Sequence, residues 1–272
     1  MNARRKSDQL MSDPVITKAP DFFVEIAATD AKIHAAQRLR YNVFVEELGG
    51  NGEMVDHVNA REQDRYDEHS RHLLLIDRKQ SENSGVVGTY RLLSKSGASR
   101  CGGFYSESEF SLQPLLDSGR SLLELGRSCI HKDYRGGTAM YELWSGLAAY
   151  VTSREIDVLF GVASFHGNDL EPIKHALAYL HHNHLAPPDL RVSAVGEPAR
   201  DMDLMPADQI DRRKAMLAMP ALIKGYLRLG GFVGRGAWID RSFNTTDVCM
   251  VLDIARMNKK QRALYDRNLP LT

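Results

Sequence analysis

Residues 121–151, SLLELGRSCIHKDYRGGTAMYELWSGLAAYV, gather the residue types best suited to chemistry. The first part is apolar and strand-like (Leu122, Leu123, Leu125, Cys129, Ile130) and carries one carboxylate, Glu124, and one arginine, Arg127. Burial in such a run penalises the charged form of a carboxylate, raises its pKa and suits it to accept a proton. The run leads to the loop Arg135, Gly136, Gly137, Thr138, and a helix-like pattern follows at once. Strand, glycine loop and helix in that order turn main-chain N–H groups and a positive helix end toward an anion, so a phosphate-bearing ligand is expected. An ordinary tight strand-to-helix turn would use the same glycines. Glu124 and Arg127 are three apart, which on a regular strand sends them to opposite faces. A bulge at Gly126 would redirect one of them and free a main-chain N–H for a ligand oxygen.

Other charged groups fall outside this stretch. Arg40 and Phe44 are four apart on one side of an expected helix, a spacing that also fits a charge snorkelling over a core ring. Asp64 and Asp67, in the polar segment 53–71, share a face if that segment is helical and would form a negative site for an amine; a solvated acidic face has the same pattern. Arg91 lies inside an apolar strand, where a charge needs solvent or a partner. Residues 165–188 are rich in histidine (His166, His175, His181, His182, His184), but His181 and His182 should point to different faces of a helix, and no metal site is expected.

The elements that must position these groups follow from pattern. A strand at 22–28 precedes a helix at 31–47 capped by Thr29 or Asp30. Residues 72–77 and 85–93 read as adjacent antiparallel strands, and 104–119 as loop and short helix. The central strand is followed by a helix at 140–153 and a parallel strand at 157–164, a strand–helix–strand unit. Then come a helix at 170–183, a basic amphipathic helical stretch at 207–229 interrupted by Pro220, and a terminal hairpin of strands at 237–240 and 246–254. One domain is expected over 21–256, between a loose tail at 1–20 and a polar tail at 257–272.

Composition narrows the partners. The 272 residues carry 35 basic and 35 acidic side chains, so no global field draws nucleic acid. Three widely spaced cysteines, Cys101, Cys129 and Cys249, fit reduced thiols better than a disulfide frame. No apolar run reaches a membrane span, and the N-terminus lacks the core of a secretory signal, so a cytoplasmic location is expected.

With these pieces placed, the chain resembles the GNAT acyltransferase superfamily and, more narrowly, the bacterial ornithine N-acyltransferases. The motifs behind the resemblance are LRYNVFVEELG (39–49), VVGTYRLL (86–93), GFYSESEF (103–110), ELGRSCIHKDYR (124–135), LFGVASF (159–165), IKGYLRLGG (223–231) and FNTTDV (243–248). The acyl-homoserine-lactone synthases are also similar, through an Arg-x-x-x-Phe helix (Arg40, Phe44), an Asp-x-x-Asp pair (Asp64, Asp67), a Glu-x-x-Arg strand (Glu124, Arg127) and Arg91. Their tryptophan after the first helix is replaced here by Leu48, Gly49, Gly50, which favours the lipid-forming branch.

The resemblance implies a mixed α/β (α+β) GNAT fold, with a mostly antiparallel central sheet, a parallel strand pair at the acyl-donor site and flanking helices. It implies transfer of a 3-hydroxyacyl group from acyl carrier protein to the α-amine of ornithine, giving lyso-ornithine lipid. Glu124 would be the base, and Arg127 with Arg40 or Arg91 would hold the substrate carboxylate. Asp64 and Asp67 would take the side-chain ammonium, with Phe44 and Ser164 in the substrate pocket and Tyr226 in the place of the GNAT tyrosine acid. Arg135, Gly136, Gly137 and Thr138 would hold the carrier's phosphopantetheine; the loop lacks the later GNAT glycine, a departure that suits the carrier better than coenzyme A. No tightly bound cofactor is implied. An acidic carrier would dock on Lys132, Arg135, Arg212, Arg213 and Lys214, and an amphiphilic product implies peripheral contact with the inner membrane. The alternatives are an N-acyltransferase for glutamine or another amino acid, an acyl-homoserine-lactone synthase, or a non-catalytic carrier- or membrane-binding module.

Overall fold

Period-two alternation of apolar residues builds most of this chain into one sheet. The computed structural model describes residues 19–52, 54–80 and 85–258. In chain order the elements are β1 (Phe22–Ile26), α1 (Asp30–Arg40), β2 (Arg71–Asp77), β3 (Val86–Ser94), α2 (Lys95–Cys101), β4 (Phe110–Ser111), α3 (Gln113–Asp117), β5 (Leu122–Ile130) and α4 (Ala139–Ser153). They continue with β6 (Val158–His166), α5 (Lys174–His184), β7 (Ser193–Ala194), β8 (Ala199–Arg200), α6 (Arg212–Ala218), α7 (Ala221–Arg228), β9 (Phe232–Val233), β10 (Ala237–Asp240) and β11 (Thr245–Asp253). The main sheet runs β1-β2-β3-β5-β6-β11-β10-β8, with β9 also on β11, and β4 pairs separately with β7. Its pairs are antiparallel except β5 with β6. The expected tails fall at 1–18 and 259–272 outside the described residues, while Met257 packs on the core.

Alternation decides which side chain faces which layer. Leu73 and Leu75 of β2 enter a core with Trp144, Leu143 and Leu147 of α4, whereas Leu74 between them meets Ala36 of α1 on the other face. On β5, Leu123 and Leu125 join the α4 core and Leu122 joins Phe104, Phe110 and Phe160 on the opposite face. Glu124 therefore points away from the large core, toward the turn that follows Phe104. Thr29 caps α1 as expected, but the helix widens into π turns over Tyr41–Glu47, closed by the Leu48 N–H on the Val43 carbonyl at 3.2 Å.

Two departures from regular pairing open the sheet at its centre. The parallel β5–β6 register runs only from Leu122↔Val158 to Glu124↔Phe160, although both strands continue. On the other edge, Arg91 pairs with Gly126 and Thr89 with Cys129, so Arg127 and Ser128 together oppose Tyr90. This is a β-bulge, one residue beyond the expected Gly126, and it puts Arg127 at φ +51°. A left-handed conformation at a non-glycine residue costs on the order of 1–2 kcal/mol and persists only when its surroundings impose it.

The surroundings that impose it are a buried ion network tying α1 and the 61–67 loop to the sheet. Arg40 donates from Nε to Glu62 at 2.5 Å and from Nη1 to Asp67 at 2.8 Å. Arg91 Nη1 donates to Asp64 at 2.5 Å and to Asp67 at 3.2 Å. Arg127 completes the network, with Nε 3.0 Å from Glu62 and Nη2 3.0 Å from Asp64. Asp64 and Asp67, expected to hold a substrate ammonium, are thus taken up by arginines. The segment around Asp64 is also a loop, with only a 3-10 turn at Asp67–His69. Burial works against ionisation of Glu62, Asp64 and Asp67, yet the facing guanidiniums hold all three below the usual carboxylate range.

Two outcomes are expected. A Cβ at Gly161 of β6 would lie 2.1 Å from the Leu125 carbonyl oxygen, so Gly161→Ala should lose about 1–3 kcal/mol in urea unfolding. The network carboxylates have depressed folded-state pKa values, so their stabilisation is present above the unfolded carboxylate range and is lost as pH falls. Arg40→Met should cost about 3–5 kcal/mol at neutral pH by leaving Glu62 and Asp67 uncompensated, and the deficit should narrow as these acids protonate, flattening the acid limb of a melting-temperature profile.

Candidate active site

The opening between β5 and β6 forms a cavity of about 240 Å³. Glu124, Leu125, Gly126, Arg127 and Ser128 line one wall, and Val162, Ala163 and Ser164 the other. Phe44, Arg91, Tyr105 and Phe243 also line it, so five of the expected site residues, Phe44, Arg91, Glu124, Arg127 and Ser164, meet in one space. The π turns bring Phe44 to the cavity, while Arg40, four residues earlier, is fully buried in the network behind it. Phe243 fits beside them because a Cβ on Gly50 would come within 2.6 Å of its ring.

Glu124 is 3% exposed and accepts hydrogen bonds from the Tyr105 N–H at 2.8 Å, the Ser106 N–H at 2.7 Å and the Ser106 hydroxyl at 2.5 Å. It thereby fixes the 3-10 turn Tyr105–Ser108 of the GFYSESEF motif. Burial pushes its pKa up and the donated hydrogen bonds pull part of that back. An ionised carboxylate has about four acceptor directions, so three donors leave room for one more proton or water. Arg127 lies with its guanidinium 4.7 Å from the Tyr105 ring centre and 5.4 Å from that of Phe243, and its carboxylate partners keep it charged despite burial. Beyond the Glu124↔Phe160 rung, the main chain of β5 has no β6 partner along this wall.

Tyr226 is not part of the cavity lining. Its hydroxyl lies 3.1 Å from that of Tyr90, which also accepts the Trp144 Nε1–H at 3.1 Å, and burial pushes its pKa well above the ordinary range. Tyr226 instead lines a small neighbouring cavity with Leu125, Phe160 and Gly161. The loop Arg135–Thr138 lies at the start of α4, outside the cavity lining. Gly136 takes φ +78°, the Thr138 side chain makes no cap bond, and both terminal nitrogens of Arg135 pair with Glu47.

Two groups escaped sequence reasoning. His181 and His182 converge on Asp203, at 3.9 and 3.1 Å, rather than diverging. The second is a trio of buried carboxylates, Glu109, Asp240 and Asp247, with oxygens within 4.8 Å of one another; Asp240 and Asp247 line the cavity. Burial first, and the neighbouring Asp247 and Asp240 next, push Glu109 well up. Burial raises Asp247 to about 6, partly offset by the hydroxyls of Ser164 and Thr245. The trio draws on the residue just before β4, the end of β10 and the start of β11, so no local spacing announces it. One signal was available: Asp247, like Glu124, is a carboxylate within a core strand.

Known proteins bear on this geometry. The acetyltransferase (GNAT) domain family matches residues 39–145. An L-ornithine N(alpha)-acyltransferase of Rhodobacter capsulatus is 52% identical over 248 residues, covering 90% of this chain and 95% of the relative. Another, from Rhizobium meliloti, is 41% identical over 267 residues, covering 96% and 90%. Among solved structures, the CoA-dependent acyl-homoserine lactone synthase BjaI superposes with a TM-score of 0.50 at 16% identity, covering 91% of this chain and 89% of that one. The AHL synthase LasI gives 0.50 at 17%, covering 93% and 99%. At such identities these two structures speak to the fold, which is the mixed, largely antiparallel GNAT sheet with one parallel pair. The curated relatives speak to descent, and on that ground this acyltransferase belongs to the L-ornithine N(alpha)-acyltransferase family.

Proposed function

We propose that this acyltransferase moves a 3-hydroxyacyl group from the phosphopantetheine thioester of acyl carrier protein to the α-amine of ornithine, giving lyso-ornithine lipid. The observation that carries the reading is the cavity where β5 and β6 part, lined by Glu124, the bulge at Arg127 and an unpaired main-chain edge. The name of the curated relatives supplies ornithine as the acceptor.

Aminolysis of a thioester forms a C–N bond, breaks a C–S bond and removes one proton from nitrogen. The thioester lies along the unpaired edge of β5, whose main-chain N–H groups stabilise the oxyanion as the amine attacks. Glu124 receives the amine proton, directly or through one water, and the donors of Tyr105 and Ser106 hold its carboxylate in place. Arg127 and Arg91, both on the cavity wall, attract the amino-acid carboxylate. The thiolate leaves with the carrier. The phosphopantetheine phosphate meets the Gly136–Gly137 loop at the start of α4. Exposed Arg212, Arg213 and Lys214 at the start of α6 suit an acidic carrier, and exposed Leu217 on the same helix suits an anionic membrane surface. No helix among the described residues is long and apolar enough to cross a membrane.

The test is mass spectrometry of products after incubating the protein with 3-hydroxyacyl carrier protein and a mixture of free amino acids. The expected product is the ornithine amide, falling about 100-fold or more in Glu124→Gln at unchanged carrier binding. An amide of glutamine instead would overturn the acceptor, and no amide with any amino acid would overturn the reaction.

A further inference from the structure

We infer that Glu109, Asp240 and Asp247 form the receptor for the side-chain ammonium of the amino-acid acceptor, and so select a diamino acid over neutral ones. This rests on the acyl-transfer reading above and replaces the expected role of Asp64 and Asp67. Both acidic groups are buried, but their charge balance differs. Glu62, Asp64 and Asp67 face Arg40, Arg91 and Arg127 at hydrogen-bonding distance. Glu109, Asp240 and Asp247 are 2%, 8% and 3% exposed, and among the described residues no lysine or arginine forms an ion pair with any of them.

Independent of the clustering, two oxygens in the trio are orphaned. Glu109 Oε2 and Asp247 Oδ1 are buried and have no hydrogen-bond partner. A buried carboxylate oxygen left unpaired costs free energy that a cationic donor would recover. The trio also adjoins the space in which the amine must react, since Asp240 and Asp247 line the same cavity as Glu124 and Arg127.

The chemistry of the acceptors favours a primary ammonium over a divalent cation. Asp240 Oδ1 already accepts the N–H groups of Ser242 at 2.7 Å and Phe243 at 3.0 Å. Three carboxylates with some of their oxygens engaged match the three N–H donors of an ammonium and fall short of the six to eight oxygens that magnesium or calcium takes. An entering ammonium also offsets the burial, and the smaller mutual repulsion, that raise Glu109 and Asp247. Placement of the trio relative to the base follows from one turn: Glu109 ends the Tyr105–Ser108 turn whose N–H groups Glu124 holds.

The experiment compares kcat/KM for acylation of ornithine and of norvaline, which is ornithine without the side-chain ammonium. Wild-type protein should prefer ornithine by about 100-fold or more, because norvaline leaves the buried acids unpaired. Asp247→Asn and Glu109→Gln should collapse that ratio toward unity, chiefly through KM for ornithine. Asp64→Asn should lower the melting temperature while keeping the ratio. Equal use of both amino acids by wild type needs no variant to fold and overturns the inference, as does a ratio that collapses only in Asp64→Asn. Should neither amine be acylated, the acyl-transfer reading fails separately, and thermal shifts decide the site. Stabilisation by ornithine but not norvaline, lost in Asp247→Asn, supports it; stabilisation by magnesium or calcium chloride alone overturns it.

Discussion

The structure depends on the balance of three arginines, Arg40, Arg91 and Arg127, against Glu62, Asp64 and Asp67 in a largely buried space. Such a network is a weak source of net stability, because desolvation cancels most of the attraction. Its effect is geometric. The Glu62 N–H bonds to the Gln37 carbonyl at 3.1 Å, so the 61–67 loop is fixed to α1, and the same carboxylates fork around Arg127. That grip holds Arg127 at φ +51° and so keeps the bulge in β5. With the bulge gone, β5 would present alternating side chains to both faces, and the wall that collects Glu124, Arg127 and Ser128 would be lost.

The bulge is paired with a second irregularity on the other edge of β5. The ladder to β6 ends at Glu124↔Phe160, where Gly161 lets the two backbones pass closely before they diverge. The cavity therefore begins immediately past Glu124, whose carboxylate is held by a turn and not by the core. These constraints set apart the acids that brace from the acids that remain unpaired. Bracing acids have guanidinium partners and depressed pKa values; none of Glu109, Asp240 and Asp247 has a guanidinium partner among the described residues, and burial pushes Glu109 and Asp247 up.

Much of this was legible in the sequence where periodicity was long. The strands around 72–77, 85–93, 122–130 and 157–164, their antiparallel and parallel pairings, and the break at Pro220 between α6 and α7 follow from pattern and are observed. The bulge was predicted from the spacing of Glu124 and Arg127 but assigned to Gly126, because glycine is the usual left-handed residue; the buried network imposes that conformation on an arginine instead. Asp64 and Asp67 were visible as a pair, yet a sequence does not show how many arginines will face them. Glu109, Asp240 and Asp247 meet only through the β6–β11 and β10–β11 pairings and the Tyr105–Ser108 turn, contacts with no local signature. Tyr226 was selected by its place in a motif, whereas its environment, Tyr90 and Trp144, belongs to the core.

The absence of Tyr226 from the cavity lining is consistent with the chemistry of the proposed transfer. A thiol has a pKa near 8.5, so a thiolate leaves readily, whereas the α-ammonium of a free amino acid must give up a proton before it attacks. The leaving thiolate needs no strongly perturbed acid, and Glu124, pushed up by burial, is suited to take the amine proton. The larger share of the barrier lies in holding amine and thioester together and in meeting the developing oxyanion. Those are demands on rigidity. A strained bulge, an abruptly ended ladder and a buried ion network are devices that fix geometry at little net gain in stability, and here they converge on one wall of one cavity.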